Sequence, residues 1–420
     1  MPLSHIDPIA ARMFAVEVVK KLRQQGYEAV WAGGCVRDQL SGRVPVDYDV
    51  ATSAHPDSVR ELFGRRHTIA IGAAFGVITV IGSKASGNVE VATYRSDAEY
   101  VDGRRPVGVT FCDAQEDALR RDFTINGLFF DPVEEVVVDY VGGQRDLDEG
   151  IIRAIGDPSM RFGEDHLRML RAVRFSANFA FPLESHTRDA IDLLAHQLVL
   201  VSPERLAAEL RLMFSRIGRG QALRLLVGTG LVNPLFGGRL NKTESFWSSA
   251  SDALDALNEP SLPLTIAILC REEPELVAGI CNHLRLSNYE RRLAAWLVEA
   301  LSVLSAKDAG SDYSHAPWSR LQPWLAHEWR FQLADIVGSL AVIHCFSSEK
   351  VAWVRQQVQR TDAELNPSHL LRGNDLLQLG VPSGPIVGHL LNQLRSLQLD
   401  EKIISREAAV EWVKQQCVDE

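Results

Sequence analysis

The stretch Gly33-Gly34-Cys35-Val36-Arg37-Asp38, followed about a dozen residues on by Asp47-Tyr48-Asp49, decides how this 420-residue chain is read. The apolar run Ala29 to Ala32 enters it as a strand, and Cys35 to Leu40 leaves it as a helix. Two glycines allow a sharp turn and a close backbone approach to a phosphate, which can sit on the helix N-terminus. Arg37, one turn into that helix, reaches the same anion. By itself the Gly-Gly pair is also what any tight turn contains. Asp47 to Ala51 reads as a second strand. There the side chains at i and i+2 point one way, so Asp47 and Asp49 face one spot while Tyr48 faces the other. Two unpaired carboxylates repel unless a cation joins them. Hard oxygen ligands favour Mg²⁺, which keeps waters and takes substrate phosphates as further ligands. Alone, Asp-x-Asp is equally a solvated strand end. Together, a phosphate cradle beside a carboxylate pair suits nucleotidyl transfer.

Around this centre the first 150 residues alternate strands and helices. Ile9, Met13, Val16, Val19 and Leu22 mark a helix over residues 8–25, stopped by Gly26. His55 to Phe63 is a helix entered through Pro56. His67 to Ile71, Gly76 to Ile81 and Val89 to Tyr94 read as strands. Arg95 to Pro106 is polar and reads as an exposed loop. Beyond about residue 157 the strand signals fade into amphipathic helical patterns: Glu164 to Phe179, Ser185 to Leu194, Pro203 to Arg216 and more. Breaks fall near Pro234, Pro260 to Pro263, Pro317 to Pro323 and Pro367. No fixed-period repeat is present.

The chain is 46% apolar and 23% charged, which excludes disordered and fibrous classes. Its 44 basic and 54 acidic residues give a net charge of −10, against a protein that coats nucleic acid by bulk charge. A local basic groove remains open to it. Only about eight of the basic residues are Lys, so Arg supplies the planar, bidentate donors. Six scattered cysteines form no Cys-x-x-Cys pair and suit a reducing compartment. The segment Met1 to Phe14 lacks the layout of a signal peptide, and no apolar run reaches the roughly 18 residues of a membrane helix. The expectation is a cytoplasmic protein.

Two further segments narrow the chemistry. Arg120-Arg121-Asp122-Phe123-Thr124-Ile125-Asn126-Gly127 precedes a strand-like run. Glu164-Asp165-His166-Leu167-Arg168-Met169-Leu170-Arg171 lies on a predicted helix, where Asp165 and Arg168 at i and i+3 share a face and Arg171 follows one turn on. A carboxylate accepts from an exocyclic amine, and a guanidinium donates to a ring nitrogen or carbonyl. Cytosine and adenine carry amines where uracil and guanine carry acceptors. Such a pair therefore takes C and A and rejects U and G, since an unpaired buried polar group costs about 1–3 kcal/mol. Standing alone, the same spacing is an ordinary helix-face ion pair.

In combination these segments resemble a known family. Gly33 to Asp49 looks like the signature of the DNA polymerase β-like nucleotidyltransferase superfamily. Arg120 to Gly127 resembles the Arg-Arg-Asp-Phe-Thr motif of class II tRNA nucleotidyltransferases and bacterial poly(A) polymerases. Glu164 to Arg171 resembles their Glu-Asp-x-x-Arg-x-x-Arg motif, and Pro203-Glu204-Arg205-Leu206 to Leu210 the helical motif after it. The likeness spans residues 28–215, with a further match around Asp375 to Gly388 to the tail of CCA-adding enzymes. It implies an α+β protein: a catalytic head with a mixed sheet (1–150), a helical neck that reads the base (151–215), a helical body (216–330) and a helical tail that binds tRNA (331–420).

The resemblance also assigns roles. Asp47 and Asp49 would hold Mg²⁺, with Glu90 or Asp122 as a third carboxylate. Gly33, Gly34, Arg37, Arg120, Arg121, Asn126 and Arg171 would hold the nucleotide and its triphosphate. Asp165 and Arg168 would read the base, oriented by Glu164. The implied reaction adds C, C and A to the 3′ end of tRNA from CTP and ATP, releasing pyrophosphate. The loop Tyr94 to Phe111 resembles one found in enzymes that add the terminal A. Poly(A) polymerase and A-only addition share the motifs and stay open here, as does a non-catalytic tRNA-binding module. Trp318, Trp324 and Trp329 sit at helical spacing and read as packing residues, and so does Cys35.

Overall fold

The computed structural model describes residues 6–45, 47–97, 109–305 and 317–416. It divides into two compact units, Met1–Asn241 and Lys242–Glu420. The first begins with α1 (Pro8–Gln24), capped by the Asp7 carboxylate on the Ile9 amide at 3.0 Å and ended at Gly26 with φ +83°. Then come β1 (Ala29–Ala32), α2 (Gly34–Leu40), β2 (Asp49–Thr52), α3 (Pro56–Phe63), β3 (Thr68–Ile69), β4 (Val77–Ile81) and β5 (Asn88–Thr93). The sheet order is β3-β4-β5-β2-β1-β8-β9, where β8 is Phe129–Asp131 and β9 is Val136–Val138. Only β2 and β5 run parallel, so the sheet is mixed as expected. Ala15, Val18, Val19 and Leu22 of α1 pack on Trp31, Val50, Ile78 and Val91 of the sheet. That is the period of 3.6 meeting the period of 2 on one buried face.

Four local expectations need correction. Asp47 lies on the bend before β2, not within it, so Asp49 is the only one of the two carried on the strand itself. Arg95–Asp97 is a short strand, β6, paired antiparallel with β7 (Val109–Phe111), rather than loop. Residues 98–108 of the expected loop, Asp102 to Pro106 among them, lie outside the described residues. Arg120 and Arg121 follow α4 (Ala114–Leu119) and lead into a 3-10 turn at Thr124–Asn126 before β8. The apolar residues Phe123 and Ile125 imitate strand alternation there, but a Phe123 carbonyl to Asn126 amide bond closes the turn.

The fourth correction matters most. Glu164 to Phe179 is not one helix. After α5 (Gly143–Glu149), α6 (Pro158–Glu164) ends, Asp165 turns extended at φ −146°, and α7 (Leu167–Phe179) starts afresh. Asp165 breaks the run because its Oδ1 accepts from the Leu167 amide at 3.1 Å, a capping bond unavailable to a mid-helix residue. The unit continues through α8 (Ser185–Leu194), α9 (Pro203–Phe214), α10 (Arg219–Gly228) and α11 (Val232–Leu235).

In the second unit every described element is a helix, from Glu244–Asp255 to Arg406–Gln416. Trp324 and Trp329 pack about Trp296 with ring centroids 5.6 and 5.7 Å from it, and the Arg360 guanidinium covers Trp318 at 5.2 Å. All three tryptophans thus pack as the helical spacing indicates. Among the described residues no helix is long and apolar enough to cross a membrane.

The 3-10 turn leans on α5. Thr124 donates its hydroxyl to Asp146 at 2.7 Å, and a Cβ on buried Gly143 would stand 2.2 Å from the Thr124 carbonyl oxygen. Gly143→Ala should therefore push the turn away from α5. Calorimetry should show a melting midpoint lower by roughly 2–4 °C for each kcal/mol lost. An unchanged midpoint would mean the turn has slack.

Candidate active site

A cavity of about 650 Å³ opens in the first unit where β1, β2 and the 3-10 turn meet α7 and α9. Eight arginines and four aspartates line it, beside Gly33 and Gly34. Gly33 takes φ +70°, and a Cβ there would stand 3.0 Å from Arg121 Nη1. At Gly34 a Cβ would face Arg37 Nη2 at 3.7 Å. Gly33 is therefore what lets the Arg121 guanidinium lie against the turn, whereas the approach of Arg37 to Gly34 is an ordinary contact that a Cβ would tolerate. Cys35 beneath them is buried and donates to the Ala32 carbonyl, and burial pushes its thiol up to about 11. It is a packing residue, not a nucleophile.

Asp49 is the first residue of β2, an interior strand of the sheet, while Tyr48 turns inward onto Trp31 at 4.7 Å. Parallel pairing sets Glu90 of β5 directly beside Asp49, on the same face. Desolvation in the cleft, then Glu90 and Asp47, push the Asp49 carboxyl up to about 6, with Arg121 opposing. This is the signature of carboxylates held near one another without enough positive charge between them. Among the described residues no three His, Cys, Asp or Glu groups converge tightly enough to enclose a metal ion. The donor set nonetheless fits a hard divalent cation that draws part of its shell from water and phosphate, and such a cation would relieve the strain on Asp49.

Asp122, the other candidate carboxylate, is differently placed. It is buried, and its oxygens accept from the Phe123 amide at 2.8 Å, Asn126 Nδ2 at 3.0 Å and Arg171 Nε at 2.7 Å. Although burial opposes ionisation, Arg171 and these donors hold the carboxyl down at about 2. Arg120 and Arg121 both fold back on Asp117, a residue only 2% exposed, with closest contacts of 2.7 and 2.9 Å. Arg121 also lies 4.9 Å over Phe129.

At the neck, Arg168 donates to Glu164 at 2.6 Å and to the Arg161 carbonyl at 3.1 Å. Asp165 meets Arg205 of α9 at 2.7 Å through the oxygen that does not cap α7. So the structure brings together Gly33, Gly34, Arg37, Asp49, Arg120, Arg121, Asp122, Asn126, Asp165, Arg168 and Arg171 around one cavity. Glu164 stands behind Arg168, and Glu90 stands beside Asp49.

Sequence reasoning passed over Asp117, Arg174, Arg205 as the partner of Asp165, and Glu209, which pairs with Arg174 in the interior. Two of them carried a signal. Asp117 precedes Arg120 and Arg121 at helical spacing, and Arg174 is the next step of the ladder Arg168, Arg171. The partners on α9 are distant in sequence and were legible only in three dimensions.

Known proteins share these features. The Poly A polymerase head domain family matches residues 29–153, and the family described as the probable RNA and SrmB-binding site of polymerase A matches residues 180–239. A CCA-adding enzyme of Lactobacillus johnsonii is 32% identical over 398 residues, covering 94% of this chain and 95% of that one. One from a Geobacillus species is 32% identical over 412 residues, covering 95% and 96%. The crystal structure of the Bacillus stearothermophilus CCA-adding enzyme in complex with CTP shares the fold with a TM-score of 0.76 at 26% identity, covering 96% of this chain and 97% of that one. The Thermotoga maritima enzyme complexed with tRNA shares it at 0.68 and 20% identity, covering 96% and 95%. With likeness along almost its whole length, and with a head-domain match spanning the sheet that carries Asp49, the chain belongs to the family of CCA-adding enzymes.

Proposed function

We propose that this protein completes the 3′ end of tRNA by adding C, C and A from CTP and ATP, releasing pyrophosphate at each step. The observation that carries the reading is the joining, in one cavity, of Asp49 at the start of β2 with Asp165 and Arg168 at the neck. The first serves phosphoryl chemistry, and the other two serve base choice. Asp47 and Asp49 would hold a divalent ion, which we take to be Mg²⁺, with Glu90 rather than Asp122 as the neighbouring third carboxylate. When bound, such an ion lowers the pKa of the attacking hydroxyl and neutralises charge at the phosphate. Asp122 is engaged by Arg171 and Asn126 and serves to orient them.

The remaining work falls to the protein's own side chains. Arg37, Arg120, Arg121 and Arg171 bind the triphosphate with donors in fork geometry. The Asp165 carboxylate offers about four acceptor sites. Leu167 and Arg205 use two, and the cavity side is left to an exocyclic amine. Arg168, held by Glu164, donates to the ring. We assign residues 1–150 to a catalytic head, 151–215 to a base-reading neck, 216–330 to a body and 331–420 to a tRNA-binding tail. We place the enzyme in the cytoplasm, in keeping with free cysteines at all five described positions.

With tRNA ending at the discriminator base, purified protein should incorporate C, C and A in order and stop, whereas continued A addition would mark a poly(A) polymerase. Asp49→Asn should cut that activity by about 10³-fold or more while tRNA binding survives, and retained activity would sink the assignment. In chelator at neutral pH the same variant should melt higher than the parent, because it removes a carboxylate raised by desolvation first and then by Glu90 beside it. A folded-state pKa lifted to about 6 means ionised Asp49 costs stability above that pH and is relieved as pH falls towards the ordinary carboxylate range. The melting advantage of Asp49→Asn should therefore shrink between pH 7 and pH 4. Divalent-ion affinity of the parent, measured by titration calorimetry, should weaken over the same interval.

A further inference from the structure

Asn126 sits on the 3-10 turn, 7% exposed, between arginines that come from two different helices. Its carboxamide oxygen accepts from Arg37 Nη1 at 2.6 Å, and its amide nitrogen donates to Asp122 Oδ1 at 3.0 Å. The other Asp122 oxygen takes Arg171 of α7, Nε at 2.7 Å and Nη2 at 2.6 Å. At the far end Arg37 is held by Asp38, through Nε at 2.9 Å and Nη2 at 2.7 Å. The backbone carbonyl of Asn126 also receives Arg121 Nη1 at 3.3 Å. The run Asp38–Arg37–Asn126–Asp122–Arg171 is thus unbroken from the Gly-Gly turn to the neck helix.

No hydrogen bond or ion pair joins Arg37 directly to Arg171 among the described residues. We infer that Asn126 is a positioning residue, fixing the distance between the triphosphate-binding Arg37 and Arg171 rather than touching the nucleotide itself. The chemistry of its two faces is what selects asparagine. The face towards a guanidinium must accept, and the face towards a carboxylate must donate. A primary amide does both on one short side chain. Aspartate would set two carboxylates against each other, and leucine would take the acceptor from Arg37 Nη1 and one donor from Asp122 Oδ1. With the amide in place, Arg37 cannot shift without moving Arg171, so the grip on phosphate and the helix that reads the base are set as one unit.

This inference rests on the nucleotide-binding roles proposed above for Arg37 and Arg171, and its test reads CTP binding without tRNA. Titration calorimetry on Arg37→Ala, Arg171→Ala and the double variant gives their coupling, to be repeated in the Asn126→Ala background. The expected result is a coupling of about 2- to 100-fold in Kd that collapses to unity once Asn126 is alanine. Coupling that survives in Asn126→Ala overturns the inference and passes the role to Phe175, whose ring lies under both arginines at 5.3 and 5.4 Å. Effects of Asn126→Ala and Arg171→Ala that simply multiply also overturn it, since a direct nucleotide ligand behaves that way. Should Asn126→Ala melt too low to assay, Asn126→Ser keeps a hydroxyl yet is too short to reach both partners, and it should abolish the coupling equally. If the parent binds CTP and shows the cycle but adds nothing to tRNA, the proposed function fails while the relay stands.

Discussion

One face of α7 presents Arg168, Arg171 and Arg174 at intervals of three residues, and each is paired with a carboxylate from a different part of the first unit. Glu164 ends the preceding helix, Asp122 opens the 3-10 turn of the head, and Glu209 lies on α9. These pairs bind α6, the sheet domain and α9 to one helix. Water does little to screen the Arg174–Glu209 pair, 11% and 5% exposed, whereas Glu164 and Arg171, 30% and 36% exposed, leave the other two pairs partly screened. Removing one partner of a buried pair costs about 3–5 kcal/mol, because the other charge stays buried and unpaired. The position of α7 on the sheet domain is therefore set by charges that also line the cavity. Structure and site are made of the same side chains.

The same arrangement accounts for an acidic chain with a nucleotide site. A net charge of −10 says little about a cavity in which arginines outnumber aspartates eight to four. Crowded guanidinium groups repel, and the aspartates and glutamates behind them make the cluster tolerable before any phosphate arrives. Asp117 does this for Arg120 and Arg121 together, at 2% exposure. Carboxylates raise the negative total while they prepare a positive surface. A count over the whole chain adds both contributions and loses the geometry.

What was legible in the sequence follows from the range of the forces involved. β1 over Ala29–Ala32, α3 over Pro56–Phe63 and α8 over Ser185–Leu194 were readable because apolar period and local capping act within a few residues. The strand-and-turn placement of Gly33 and Asp49 was readable for the same reason. The break at Asp165 was not, since a capping aspartate between two apolar helices leaves the 3.6 period almost undisturbed. Nor was the choice between Glu90 and Asp122. It turns on which strand pairs with β2 and on who else bonds to each carboxylate, and both are long-range facts. Arg205 escaped for the same reason, being 40 residues from the aspartate it holds.

That last contact bears on how a protein can choose bases without a template strand. A single mismatched polar contact costs about 1–3 kcal/mol, or roughly 5- to 150-fold, which is weak discrimination for an enzyme that sees all four nucleotides. Two contacts of opposite sense, which the proposed function assigns to an acceptor at Asp165 and a donor at Arg168, multiply their penalties only if neither group can turn to suit the wrong base. A free carboxylate rotates about its Cβ–Cγ bond, and a free guanidinium swings on three methylenes. Here Asp165 is clamped between the α7 amide of Leu167 and Arg205, and Arg168 between Glu164 and the Arg161 carbonyl. The extended kink at Asp165 is what opens both of its oxygens to these partners, since a helical residue there would have no free amide to cap. Under that assignment the interrupted helix is the condition for a rigid reader, and an uninterrupted one would have offered only a flexible ion pair.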